Sequence, residues 1–382
     1  MKTAQYLQHC RARWREEADR LPLLAAFLAA PIALVVVSLV LAAIRANAQS
    51  GIDSPVAWYG LPPFRFLGDF YAYHAAAAKA LSTGDPYGWG WYLGPPPLPW
   101  LLVPFALLKF KNAALVFQVV WLLPAAACAY WARKRLDLGL VASSGVALFF
   151  ATSAALVWSL NRANVDPLVA VLLASGLGLL ALAKDRAAGV CLALAVCVKY
   201  YALLLFLALE ALGKRRAANA GYAVLVVAFL ATGPQAWLRP FSKPQMVERL
   251  GYLMPGSNIS VSHVWWTWAK WLGVAEWSGA NTLYAVLSTA VIVLGLAVCL
   301  GADWLRGARG KWRDVVPELA LYLPFLVSFP RQVYPYAGLV TVPVLFAALR
   351  LWESSTDVRA RGTLLLLGAA IGLQHCHSYA AG

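Results

Sequence analysis

Apolar runs of roughly bilayer length recur along this chain, separated by short polar segments in which arginine and lysine cluster. A helix needs about 20 apolar residues to cross the hydrocarbon core of a membrane. Lipid offers backbone amides no outside partner, so spanning segments must be helices or closed barrels. Runs of this kind fall at about 23–44, 113–131, 140–158, 165–183, 187–212, 218–237, 280–303, 315–329, 335–350 and 363–379. The stretch 98–108 is too short to cross comfortably, and Trp-rich 263–273 has the composition of a headgroup-level segment. Of 382 residues, 61% are hydrophobic and 13% charged, whereas a soluble domain is about 25% charged. A soluble globule is excluded, and the expected fold class is an all-α polytopic membrane protein with about 10–12 transmembrane helices, outer-face loops and interfacial helices.

A net charge of +15 would point to nucleic acid in a soluble protein. In a membrane protein the placement of Lys and Arg matters more than their number. The first apolar run follows a charged segment, 1–22, and is too long for a cleaved signal, so it is expected to remain as an anchor behind a cytoplasmic N-terminus. The remaining inside clusters are then Arg133 to Arg135, Lys184 with Arg186, Lys214 to Arg216, Arg306 to Arg313, and Arg359 with Arg361. All share one side if 187–212 reverses as a hairpin of short helices at Lys199-Tyr200-Tyr201. The other side collects a first outer loop at about 47–112, the turn Asn161 to Asp166, the Lys199 turn, a later outer loop at about 238–275, and Arg331 to Tyr334. The six cysteines lie mostly within apolar runs, without metal-ligand spacing, and read as small buried hydrophobes.

One carboxylate stands out in the first outer loop. Asp69 opens the stretch Asp69-Phe70-Tyr71-Ala72-Tyr73-His74, which continues through an alanine run to Gly84-Asp85-Pro86-Tyr87 and then to Pro95-Pro96-Pro97-Leu98. The Ala-rich spacing predicts a short interfacial helix over 70–81 ending at Gly84, with Asp69 at its N-terminus. Capping alone would explain an aspartate there. Asp166, directly before Pro167, likewise reads as a helix-start cap, and Asp85 as a turn residue.

Three elements, Gly68-Asp69-Phe70, Gly84-Asp85-Pro86-Tyr87 and the Pro95–Leu98 run, together resemble glycosyltransferase family 87. Asn164, the segment from Ala188-Gly189 to Lys199, and Ser257-Asn258-Ile259-Ser260 extend the resemblance. Beyond about 330 the pattern departs from the family's, with Ser328-Phe329-Pro330-Arg331 where Ser-Pro is frequent. The resemblance implies a GT-C-like transmembrane domain over 23–382 in the inner membrane of a bacterium, with the active site facing the periplasm or cell exterior. It further implies an enzyme that moves a sugar, mannose being the family's commonest association, from a polyprenyl-phosphate donor to a hydroxyl of a lipid or glycan acceptor. Such a donor is already activated, so the protein must deprotonate the acceptor and hold the departing phosphate.

On that basis Asp69 is assigned as general base, and Lys199, Arg162 and Arg331 as phosphate ligands. His74, Asp85, Tyr87, Asn164, Asn258 and Tyr334 are assigned to acceptor or sugar binding. No metal site is expected, because the histidines lack ligand spacing and there is no Asp-x-Asp pair; a divalent cation, used by some GT-C relatives, stays open. A multi-pass transporter or lipid-linked sugar flippase is the competing class, and it should show an internal repeat, which the halves of this chain do not.

Overall fold

The structure is a computed structural model that describes residues 68–88, 92–120, 163–242, 293–302 and 356–380, with isolated positions at 159, 290, 304, 305, 322, 344, 348, 351 and 352. The described residues are helical, without a strand among them. The N-terminal segment, the expected spans at 23–44, 140–158, 315–329 and 335–350, and the Trp-rich stretch lie wholly or almost wholly outside the described residues.

The Ala-rich stretch forms helix α1, Gly68–Thr83, longer at both ends than its periodicity predicts, with Asp69 in the first turn. A carboxylate is favourable there because it faces the positive end of the helix dipole. The helix stops at Gly84, which takes φ +73 and donates its N–H to the Ala80 carbonyl at 3.0 Å. This left-handed termination suits a residue without Cβ. A 3-10 turn at Pro86–Gly88 follows, then two short helices, α2 (Pro97–Leu101) and α3 (Val103–Ala106), each with proline in its first turn. Proline lacks an N–H and is best accommodated in a helix's first turn; the proline spacing therefore chops 97–106 into pieces. Helix α4, Phe110–Val120, closes this region, and Phe70 packs between Phe110 and Phe117 with ring centroids 5.7 and 4.8 Å away.

The second region is a serpentine of helices. Helix α5 is Asp166–Ala181 and α6 is Asp185–Val198. A 3-10 turn at Tyr200–Leu203 leads into α7, Leu204–Ala211, and α8 is Arg215–Thr232. The breaks are local conformations: Ala183 at φ 54, Lys199 extended at φ −146 and ψ 124, and Gly213 at φ 68. Asp185 at the start of α6 forms an ion pair of 3.5 Å with Lys214 at the start of α8. The chain between them must therefore run out and return, so it reverses at Lys199, and α6 and α8 lie parallel. One end of the bundle carries Lys184, Arg186, Lys214, Arg215 and Arg216. The other carries Asp166, Lys199 and the end of α8, about 27 Å away along an 18-residue helix.

The run 218–237, expected as one span, is broken. Gly233 takes φ 82, Pro234 starts α9 (Pro234–Ser242), and the axes of α8 and the next segment meet at 91°. Glycine's left-handed backbone followed by a proline that cannot donate makes the corner. Among the described residues no single helix is long and apolar enough to cross a membrane; this bent pair reaches the required length and composition only as two pieces. Two further helices are α10, Val293–Ala302, and α11, Val358–Ala380.

Helices α6 and α8 touch backbone to backbone. A Cβ added at Gly189 would overlap the Ala217 carbonyl, and one added at Gly221 would overlap the Phe206 ring and sit 2.9 Å from the Gly189 carbonyl oxygen. Gly189→Ala should therefore destabilise the protein by about 1–3 kcal/mol through overpacking. Gly362→Ala, where a Cβ meets nothing within 4 Å, should be neutral or stabilise by up to about 1 kcal/mol through helix propensity. Melting temperatures in one detergent compare the pair, and equal melting temperatures would show that α6 and α8 are not so closely joined.

Candidate active site

The turn before α5 is built to present one side chain. Ala163 is buried at φ 47, a left-handed conformation that costs a non-glycine residue about 1–3 kcal/mol. Asn164 donates its backbone N–H to the Ser159 carbonyl at 3.0 Å, which ties the turn to the chain preceding it. Its side chain then bonds in two directions. Asn164 Oδ1 accepts the backbone N–H of Asp166 at 2.9 Å, while Nδ2 donates to Asp69 Oδ2 at 2.6 Å and to the Tyr73 hydroxyl at 3.2 Å. Only a carboxamide supplies an acceptor and a paired donor in that geometry. Asp69 and Tyr73 are four residues apart in α1 and so share a face, which makes both reachable from one amide.

Asp166 continues the network inward. It is the first residue of α5 and fully buried. The preceding residue, Val165, makes no side-chain cap, and the Asp166 carboxylate turns to side chains instead. Its Oδ1 accepts from the Tyr201 hydroxyl at 2.5 Å, and its Oδ2 lies 3.6 Å from Lys199 Nζ. The cap reading for Asp166 is thus corrected: Asn164 satisfies the helix start, and Asp166 is the counter-ion of a lysine. Burying a carboxylate is costly without such partners.

Next to this network lies a cluster of phenols around one carbonyl. Tyr87 donates to the Gly94 carbonyl at 2.8 Å and Tyr200 to the same oxygen at 3.5 Å. Tyr92, fully buried, donates to the Pro95 carbonyl at 2.5 Å. Burial first, and the neighbouring phenols second, push the Tyr87 and Tyr92 hydroxyls well above the ordinary phenol range, so both stay protonated donors. Asp85 closes its own turn by accepting the Tyr87 N–H at 3.0 Å, and its second oxygen pairs with Arg239 of α9 at 2.5 Å. Helix α1 consequently runs across this end of the bundle. Its first turn meets Asn164, and the turn beyond its last residue meets Arg239.

The structure brings together Asp69, Asn164 and Lys199 among the residues singled out in the sequence, with Asp85 and Tyr87 at the same end. His74 is directed elsewhere: its ring packs on Phe70 and Phe110, and Nε2 lies 3.3 Å from the Leu108 carbonyl. Arg162, Arg331, Asn258 and Tyr334 lie outside the described residues. Among the described residues no group of three His, Cys, Asp or Glu side chains is placed to hold a metal ion. Tyr73, Asp166, Tyr201 and Arg239 were not singled out for binding or chemistry from the sequence. Tyr201 stands beside Lys199 in the polar break, and that break is the signal that could have drawn attention to it.

The sequence pattern of glycosyltransferase family 87 matches residues 92–328. The chain belongs to this family. It is accordingly a glycosyltransferase, using a sugar donor and an acceptor, in a family that is generally membrane-associated. No curated protein and no solved structure matches it. Asn164, Asp166, Lys199 and Arg239 lie inside the stretch matched to family 87, while Asp69 precedes it. The 2.6 Å bond from Asn164 to Asp69 is what ties that carboxylate to the family's portion of the chain.

Tyr201→Phe removes a hydrogen bond to a buried carboxylate and should cost about 1.5–3 kcal/mol. Asn164→Asp keeps the shape but replaces a donor to Asp69 with a like charge, so it should lower both melting temperature and glycosyl transfer more than Asn164→Ser does. Thermal denaturation and transfer rate of the three variants check this, and an Asn164→Asp protein as stable and active as the parent would show that the amide bridge has no consequence.

Proposed function

We propose that this family 87 enzyme transfers a sugar, mannose in the first instance, from a polyprenyl-phosphate donor to a hydroxyl of a lipid or glycan acceptor on the extracytoplasmic side of a bacterial inner membrane. The observation that carries the reading is that a carboxylate from α1 and an ammonium from the α6–α7 break are joined through Asn164 and Asp166 at one polar end of the bundle. In the reaction Asp69 takes the proton of the acceptor hydroxyl as its oxygen bonds to the anomeric carbon. The bond from that carbon to the phosphate oxygen breaks, and the phosphate leaves with the electron pair. Lys199 meets the developing charge, with Arg162 and Arg331 as further ligands. An ammonium carries three donors, and pairing with Asp166 fixes its place.

Two features support a lipid setting and this sidedness. The outward faces of α8 and α10 are apolar, with Val227, Leu230, Leu294 and Val298 each more than 60% exposed, as lipid-facing helices require. The basic residues at the opposite end of the bundle have the composition of a cytoplasmic face. A cysteine replacing exposed Ser82 should then react with an impermeant thiol reagent from outside sealed cells, and one replacing Arg215 should not. The opposite labelling pattern would turn the protein over.

Asparagine and alanine at position 69 separate proton transfer from the bond to Asn164. Asp69 is the second residue of α1, so asparagine keeps an acceptor for the Asn164 amide while losing the carboxylate that takes a proton, and alanine loses both. Asp69→Asn should fold and bind donor normally while losing about 10²-fold or more in turnover. Lys199→Ala should mainly weaken donor binding, and Lys199→Arg should retain part of it because the charge persists. Labelled-sugar transfer from polyprenyl-phosphate mannose, with melting temperature and donor affinity alongside, is the measurement. Parental turnover in Asp69→Asn would remove the base assignment.

A further inference from the structure

The corner at Gly233 does more than end a helix. Between that corner, the Gly84–Pro86 turn and the α2 segment lies an open cavity of about 420 Å³, lined among others by Asp85, Trp100, Thr232, Gln235 and Arg239. This is within the range of about 300–1,000 Å³ typical of small-molecule sites. It sits at the same end of the bundle as Lys199, because it includes the last residues of α8, and it borders the turn that follows α1, about 24 Å along that helix from Asp69. The phenol cluster lies next to it: the Tyr87 N–H bonds to Asp85, Tyr200 shares the Gly94 carbonyl with Tyr87, and the Tyr200 ring contacts Trp237 of α9 at 5.9 Å.

The lining has a particular chemistry. Asp85 and Arg239 pair at 2.5 Å, yet their side chains remain 37% and 52% exposed. A paired carboxylate and guanidinium present acceptors and donors side by side with no net charge. Gln235 adds a carboxamide, while the Thr232 hydroxyl is already engaged, donating to the Ala228 carbonyl at 2.7 Å and accepting from Trp237 Nε1 at 2.8 Å. Trp100 is a large aromatic left 43% exposed at the cavity, and an indole offers a broad apolar surface with a polar edge. A bare phosphate would be repelled by Asp85 and would have no use for the indole. A purely apolar lipid tail would strand the ion pair. A pyranose ring, with hydroxyls on its edge and C–H groups on its face, suits the ion pair, the carboxamide and the indole together.

We infer that this cavity is a distal acceptor subsite, taking an uncharged hexose ring of a glycan acceptor several sugar residues removed from the hydroxyl that Asp69 meets, with Trp100 and Arg239 as its specificity-determining residues. The inference rests on the proposed transfer reaction for the role of the sugar as acceptor, but binding of a neutral sugar can be read without that reaction. Position 239 acts only because the Gly233 corner swings α9 over the end of α1; a straight continuation of α8 would carry it away from Asp85.

Saturation-transfer NMR on the full-length protein in nanodiscs, with methyl α-D-mannopyranoside and methyl α-D-glucopyranoside as probes, tests this. At least one hexoside should bind the parent, bind Gly362→Ala equally well, and bind Trp100→Ala and Arg239→Gln about tenfold more weakly. Both substituted side chains are substantially exposed, and far-UV circular dichroism with melting temperature identifies any variant that has unfolded. In the transfer assay the same two variants should raise the acceptor KM far more than the donor KM. Hexoside binding that neither variant weakens, no binding of either probe, or displacement of the hexoside by inorganic phosphate would overturn the subsite. Hexoside binding that depends on Trp100 and Arg239 in a protein that transfers nothing from polyprenyl-phosphate donors would keep the sugar site and overturn the donor reading instead.

Discussion

The Asn164 carboxamide is the joint on which the polar end of this molecule depends. One side of it satisfies the first turn of α5, and the other holds Asp69 and Tyr73 of α1. The other polar ties between the two regions, Asp85 with Arg239 and Tyr200 with the Gly94 carbonyl, hold the chain beyond α1 rather than its first turn. The amide gives that turn its direction. Its position is in turn fixed by a strained Ala163 and by the Ser159 carbonyl, so a small amount of backbone energy is stored to aim one side chain.

Asp166 and Lys199 form the complementary half. A carboxylate with no exposure is held by a phenol and by an ammonium that is itself a quarter exposed. The exposed part of the pair is the cation, and the buried part its counter-ion, so the positive charge is displayed toward the polar end while its compensation stays behind. The phenols of Tyr87 and Tyr92 add donors that burial keeps protonated. The end of the bundle that carries Lys199 is thus a wall of fixed donors into which Asp69, Asp166 and Lys199 are set, with the Asp85–Arg239 pair at the same end.

What the sequence made legible was whatever interrupts an apolar run. Lys199 and Asp69 were visible because charges are rare where lipid or an interface is expected, and the Ala-rich α1 and its stop at Gly84 follow from periodicity and glycine alone. The turning of the chain at Lys199 was likewise readable, because basic residues sort to one end only if the chain reverses there. Asp166 was read as a cap because Asp-Pro at a helix start is sufficient for that; its real partners lie 33 and 35 residues further on, and no local pattern announces them. The corner at Gly233 was hidden because the apolar run continues through Trp237 and Leu238, so hydropathy outvoted the Gly-Pro pair. Arg239 carried no signal at all, since its meaning comes from a turn more than a hundred residues earlier.

The backbone contact between α6 and α8 has a consequence for the solvent in which these helices work. Hydrocarbon chains repay nothing for burying a leucine, so association of helices within a bilayer relies on close van der Waals fit and weak polar contacts rather than on the release of water. Gly189 and Gly221 let two chains approach until carbonyl oxygen meets alpha carbon, the geometry in which Cα–H···O contacts of about 0.5–1 kcal/mol become available. The two parallel helices on either side of α7 in the chain are therefore joined by a kind of attraction that does not depend on the release of water.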